Sequence, residues 1–313
     1  MATIGKDIRQ AQKALLEGGL VAIPTETVYG LAANALDPVA VTKIFVAKER
    51  PAFDPLIVHV ASLEHARGLV KAIPEKAKKL ARHFWPGPLT LVVPKENIIP
   101  DIVTSGLDTV GIRCPAHDLT LQLLAGLPFP LAAPSANPFG YVSPTTAGHV
   151  AHQLGSKIQY ILDGGPCRIG LESTIVGFSD EEVVVYRKGG ASMEEISNIV
   201  GKASYRVTSS NPVAPGQLDS HYAPRKKFLL GNIDELKKSF PPEKTGILLF
   251  SGSPGRNQLV LSPSGNMEEA ARNLFAALRQ FDQMDIDVIL AEPVPDMGIG
   301  EAINDRLRRA AAK

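Results

Sequence analysis

Apolar residues in this chain gather in short runs of strand length, at 20–23, 56–60, 89–93, 110–113, 131–133, 174–176 and 183–186, with stretches of helical period at 39–47 and 74–84 between some of them. Strand and helix signals in alternation define an α/β domain, because the helices cover faces that the strands alone would leave in water. Ile8, Ala11 and Leu15 predict an opening helix that Gly18 and Gly19 stop in a left-handed cap. Ser192 and Glu195 form an S-x-x-E capping box, which opens a helix that closes this first domain near Gly201.

The pattern then changes. Residues 203–224, ASYRVTSSNPVAPGQLDSHYAP, are rich in Ser, Pro and Gly and carry no sustained apolar period, so they read as a linker. Strand signals return at 227–230, 246–250 and 287–290, with amphipathic helices at 267–281 and 302–311, which gives a smaller second α/β domain. The division read from the sequence is 1–201, a linker or lid at 202–225, and 226–313. A 313-residue chain with 44% hydrophobic content has enough apolar surface for two cores.

Charge narrows the function. Lys and Arg total 33 against 32 Asp and Glu, so there is no basic field of the kind that carries non-specific nucleic-acid binding, and a small substrate is the first expectation. The start of the chain lacks a signal-peptide pattern and no apolar run reaches membrane-spanning length, so a cytoplasmic location is expected. Cys114 and Cys167 are too few and too isolated for a disulfide framework or a zinc site and read as reduced core residues. A P-loop, a complete G-x-G-x-x-G, an H-E-x-x-H helix and a G-x-S-x-G elbow are all absent, and no metal site is expected.

Four segments look chemical. PTETVYG at 24–30 follows the first strand, with the hydroxyls of Thr25 and Thr27 and with Gly30 to permit close backbone approach; its plainer reading is a capped strand-to-helix turn. AKERPAFDPLIVHV at 47–60 ends a helix on Lys48 and Arg50 and stiffens the next loop with Pro51 and Pro55. The two cations, of which Arg50 reads as a partly exposed loop cation, are either helix-dipole partners or a polyphosphate clamp, and His59 is either a core histidine or a ligand contact. LAAPSANPFGYVSPTT at 131–146 concentrates Ser135, Asn137, Ser143 and Thr145 after a strand, and LESTIV at 171–176 sets Glu172, Ser173 and Thr174 at the entry to another. Jointly they suggest one polar site assembled from several strand ends.

PTETVYG, K-x-R-P with PLIVH, FWPGPLT, VGIRCP, APSAN and ESTIV occur in the order found in the YrdC-like threonylcarbamoyl-AMP synthases, and the chain resembles that family over nearly its whole length. HYAP at 221–224 and the tail GIGEAINDRLRRAA resemble its long, two-domain form. The resemblance implies a twisted mixed sheet with a deep concave site, and a Rossmann-like C-terminal domain on a linker able to cover it. Carried over motif by motif, Thr27, His59, Arg113, Ala133 and Ser173 resemble threonine contacts, and Lys48, Arg50, Asp54, Thr109, Ser135, Ser143 and Arg187 resemble ATP contacts. Asp54 departs from the Asn often found there, so it needs a cation or a ribose hydroxyl as partner. The linker's His221 and Tyr222 are expected to approach the ATP end, while Gln217, Leu218 and Asp219 replace the basic residue often seen before HYAP.

The reaction so implied joins L-threonine, bicarbonate and ATP, with Mg2+ carried in on ATP and Lys48 and Arg50 as the catalytic cations. Its product would serve a downstream tRNA threonylcarbamoyl transferase machinery, with tRNA binding by this chain itself left open. Two other readings compete with it, an RNA-binding module and a carbamoyl or acyl transferase on the same fold.

Overall fold

The computed structural model describes residues 1–179, 182–206, 214–216 and 221–312. The chain divides into two compact units: Met1–Phe139, Pro144–Cys167 and Glu172–Leu218 make the first, and Gly140–Ser143, Arg168–Leu171 and Asp219–Lys313 the second.

The first unit is built on a mixed sheet. Its strands are β1 (Thr3–Gly5), β2 (Val21–Ile23), β3 (Gly30–Asn34), β4 (Ile57–His59), β5 (Leu89–Pro94), β6 (Thr109–Arg113), β7 (Leu131–Ala132), β8 (Tyr160–Leu162), β9 (Thr174–Ser179), β10 (Glu182–Arg187) and β11 (Ala203–Tyr205). Among the described residues they run in the order β1-β8-β2-β3-β7-β4-β6-β5-β9-β10-β11. Parallel pairs such as β4 with β6 alternate with antiparallel ones such as β5 with β6. The opening helix is Ile8–Leu16, followed by Gly18 at φ 70°, and the Ser192–Glu195 capping box closes on both sides.

Register sorts the central strands' residues onto two faces, because side chains alternate along a strand and registered neighbours point the same way. His59 lies opposite Arg113, Ile57 and Val92 opposite Gly111, Thr90 and Arg187 opposite Ile175, and Val92 also opposite Gly177. Val58, Leu89, Leu91, Val93, Val110, Ile112, Val176, Val183 and Val185 lie on the other side, in the unit's main apolar core; Arg187 keeps count with Val183 and Val185 but is registered with Ile175 because the register shifts between Val185 and Arg187. One face is therefore packed and apolar, and the other carries the chemistry-bearing residues.

Strands β1, β3, β8 and β11 fall outside the runs read as strands, as does the strand Gln258–Val260 of the second unit. β11 is the most informative of these, since Ala203–Tyr205 pairs in parallel with β10 where composition reads as linker. In the second unit β12 (Lys227–Leu230), β13 (Thr245–Leu249), β14 (Gln258–Val260) and β15 (Val288–Ala291) form an all-parallel sheet in the order β12-β15-β13-β14, a Rossmann-like arrangement. Its helices include Met267–Phe281 and Gly300–Ala311. No described helix is long and apolar enough to cross a membrane.

Candidate active site

The helix Pro38–Lys48 ends on the first site residue, and Glu49 turns the chain out of it at φ 55°. Lys48 is buried, and its ammonium donates to the carbonyls of Ser135 at 2.5 Å and Asn137 at 2.6 Å. Burial pushes that ammonium well below the ordinary lysine range; Arg50 adds to the shift and Asp54 opposes it. Arg50, read from sequence as a partly exposed loop cation, is buried at 8% exposure. Pro51 and Pro55 fold the loop back on it, so that Nε donates to Asp54 O at 3.0 Å and Nη2 to Pro55 O at 2.8 Å. Asp54 Oδ2 lies 2.9 Å from Arg50 Nη2, but the contact lacks hydrogen-bond geometry, and neither carboxylate oxygen takes a hydrogen bond from a described residue. Asp54 has thus met the cation its position calls for.

A second group forms around Arg113. Its Nη2 donates to Glu26 Oε1 at 2.7 Å and its Nε to Gly87 O at 3.3 Å, while Glu26 Oε2 accepts from Ala116 N at 3.0 Å. No described residue accepts from Nη1. Thr25 and Thr27 flank Glu26, and their hydroxyls are 2.7 Å apart in a turn that also ties Thr25 Oγ1 to Val28. His59, beside Arg113 across β4 and β6, is buried with Nδ1 3.3 Å from Ile57 O. Burial first, and Arg113 second, lower its pKa to about 3, so it stands neutral.

The third group lies at the entry to β9. Ser173 Oγ is 2.8 Å from Thr90 Oγ1 and accepts from Arg187 Nη2 at 3.1 Å, and Ser173 O accepts from both Nε and Nη2 of Arg187. Arg187 Nη1 donates to Pro215 O at 3.3 Å, and Ala214 packs with Ile57, Val92 and Ile175 on the polar face. Ala133 N donates to Ile57 O at 3.0 Å, and Ser135 bridges Gly30. A Cβ on Gly30 would come within 3.2 Å of Ala133 Cβ, which is the close approach expected of that glycine.

Thr109, Arg113, His59, Ala133, Ser135, Ser173, Arg187 and the loop residues Thr27, Lys48, Arg50 and Asp54 thus all belong to the first unit. They share one face of the sheet and gather at strand ends, as expected: His59, Arg113 and Arg187 close β4, β6 and β10, Thr109 opens β6, Ser173 precedes β9, and Ala133 and Ser135 follow β7. Ser143, His221 and Tyr222 belong to the second unit. There Tyr222 is buried, stacked on Phe275 at 5.7 Å and capped by the Arg306 guanidinium at 4.9 Å, with the His221 ring edge-on at 4.1 Å. Residues 217–219, expected to lack a charge contact, lie outside the described residues.

Glu26 and Thr90 were not singled out from sequence, although both lie in quoted motifs. Each carries a signal in retrospect: Thr90 is a polar residue inside the apolar run L-T-L-V-V, and Glu26 is an acid held between two threonines. Cys114 and Cys167 are buried free thiols, pushed up to about 11 and about 12 chiefly by burial, as inert core cysteines are.

Buried cations on the polar face of a mixed α/β sheet are the arrangement that a site for small anionic ligands requires. Comparison with known proteins agrees. A family model described as Telomere recombination, covering Sua5, YciO and YrdC, matches residues 13–189, and one described as Threonylcarbamoyl-AMP synthase, C-terminal domain, matches 191–312. Threonylcarbamoyl-AMP synthase of Pyrococcus abyssi is 47% identical over 97% of this chain and 94% of its own length, and that of Bacillus subtilis 41% over 99% and 94%. The crystal structure of P. abyssi Sua5 complexed with L-threonine superposes with a TM-score of 0.92 at 43% identity, covering 99% of this chain and 97% of that one. Escherichia coli YciO, at 20% identity and a TM-score of 0.56, shares the fold of 63% of the chain. The chain belongs to the threonylcarbamoyl-AMP synthase family, in the form that carries both domains.

Proposed function

We propose that this chain is an adenylyl-transferring enzyme that condenses L-threonine, bicarbonate or CO2 derived from it, and ATP into threonylcarbamoyl-AMP and pyrophosphate, for threonylcarbamoyladenosine modification of tRNA. The observation that carries the reading is the burial of Lys48, Arg50, Arg113 and Arg187 together in the first unit, with Asp54 2.9 Å from Arg50. Cations held out of water in fixed positions are what a polyphosphate and its transition state require.

In this reading the threonine carboxylate meets the Nη1 edge of Arg113, whose orientation Glu26 and Gly87 O fix, with Thr27, His59, Ala133 and Ser173 around the amino acid. Neutral His59 accepts or donates a hydrogen bond there without adding charge. The amine takes up CO2 as a carbamate, a carbamate oxygen attacks the α-phosphorus, and the bond to the bridging oxygen breaks as pyrophosphate leaves. Lys48 and Arg50 neutralise the charge that builds on phosphorus and on the leaving group, and Asp54, Thr109, Ser135, Ser143 and Arg187, with His221 and Tyr222, are the further nucleotide contacts. Catalysis is by positioning and electrostatics, with no covalent enzyme intermediate.

Among the described residues no group of three or more His, Cys, Asp or Glu side chains is placed to hold a metal ion. Magnesium fits this site as a companion of the ATP phosphates, which it neutralises when bound. The near-neutral charge balance disfavours the RNA-binding alternative. The deciding experiment is product mass analysis after incubation with ATP, bicarbonate and all amino acids: threonylcarbamoyl-adenylate is expected, and its absence under every condition rejects the proposal.

A further inference from the structure

Asp54 stands out within the nucleotide half of the site. It is fully buried, and a buried carboxylate ordinarily accepts several hydrogen bonds, yet neither of its oxygens accepts one from a described residue. The charged groups that act on it are Arg50 on its own loop, Lys48 at the end of the helix Pro38–Lys48, and Arg187 on β10, all cationic. A carboxylate so placed contributes little as a structural tie, since Arg50 is already held by two backbone carbonyls. Its burial pushes its carboxyl up from the ordinary aspartate range, against the pull of those three cations.

We propose that Asp54 is an internal stand-in for the phosphate chain: its carboxylate answers Arg50 until a triphosphate takes over that cation, whereupon Asp54 binds a proton from solvent, so that nucleotide binding and proton uptake are linked. The physical reason is that two anions sharing Arg50 in a dry site cannot both remain fully charged, and among the described residues Asp54, fully buried with no hydrogen bond to either oxygen, has no other close partner for its charge once the triphosphate takes that guanidinium. Proton uptake makes triphosphate binding weaken as pH rises, and it makes Asp54 a brake on affinity, since an amide at that position would leave Arg50 available without competition. This rests on the ATP reading above and adds to it a residue that sets how tightly the triphosphate is held.

The test uses the full-length protein with inorganic tripolyphosphate as probe. Difference infrared spectra with aspartate carrying a 13C-labelled side-chain carboxyl should show a protonated aspartic acid band appearing as the probe saturates wild type, and Asp54→Asn should lack it. Calorimetry should show Asp54→Asn binding the probe about tenfold tighter near neutral pH, one decade of affinity. The labelled wild-type spectrum alone decides the matter if the variant does not fold. Saturable binding without an aspartic acid band, or weaker binding by a folded Asp54→Asn, overturns the stand-in role while leaving the ATP site in place. Failure of wild type to bind tripolyphosphate or ATP overturns both.

Discussion

Glu26 and Arg113 are joined in a buried ion pair, 2.7 Å from Oε1 to Nη2, that reaches from the β2–β3 loop to β6 past β3, β7 and β4. Removing one partner of such a pair strands the other's charge away from water, at about 3–5 kcal/mol. Arg113→Ala is therefore expected to lower stability by that order in urea melts, and Glu26→Gln combined with Arg113→Met to cost less than the sum of the two single changes. Arg113→Lys keeps the charge but loses the planar fork, and it should raise the threonine requirement more than the ATP requirement, as should Ser173→Ala. Equal shifts for both substrates in steady-state titrations would remove Arg113 and Ser173 from the amino acid.

Arg50→Ala should cut turnover by up to about 100–1,000-fold, the range for a lost transition-state donor. Because the side chain is buried on the carbonyls of Asp54 and Pro55, the same change should also cost about 1–3 kcal/mol of stability. Turnover near wild type alongside a lowered melting temperature would reduce Arg50 to a loop tie.

His59 makes stability depend on pH. Its pKa is lowered from 6.5 to about 3, so between those values the unfolded chain binds a proton that the folded one refuses. The contribution is complete above about pH 6.5 and is lost as pH falls toward about 3, at up to about 1.4 kcal/mol per pH unit. His59→Gln should flatten the difference between urea melts at about pH 4.5 and about pH 7. An unchanged slope would mean that the histidine is not held neutral.

Much of the fold was legible because its signals are local. The capping box, the helix stop at Gly18 and the helix Met267–Phe281 rest on residues a few positions apart, and they form as expected. β1, β8 and β11 are only three residues long and acquire strand character from their partners, which no local pattern can announce. The site divides the same way. Lys48, Arg113 and Ser173 could be named from motif order, but the burial of Arg50 depends on the loop closing over itself, and the partnership of Glu26 with Arg113 joins residues 87 positions apart. What sequence supplied was residue type, and what it withheld was pairing.

Within the linker, residues 214–216 belong to the first unit, where Ala214 is buried against Ile57, Val92 and Ile175 and Pro215 O accepts from Arg187. Ala214 and Pro215 also line a small cavity with Thr90, Thr104, Thr109 and Gly111, so this stretch covers the face that carries the proposed nucleotide contacts. A mixed anhydride made in water needs such a cover, because hydrolysis competes with delivery of the product. ATP with threonine is therefore expected to protect residues 203–224 from limited proteolysis. Ala214→Asp, which sets an unpaired carboxylate among three apolar side chains, should lower the yield of intact adenylate relative to pyrophosphate released. That ratio separates a leaking site from a slow one, since a merely structural change would depress both products together. Unchanged cleavage with ligands, together with an undiminished ratio in Ala214→Asp, would show that the segment is fixed packing and not a lid.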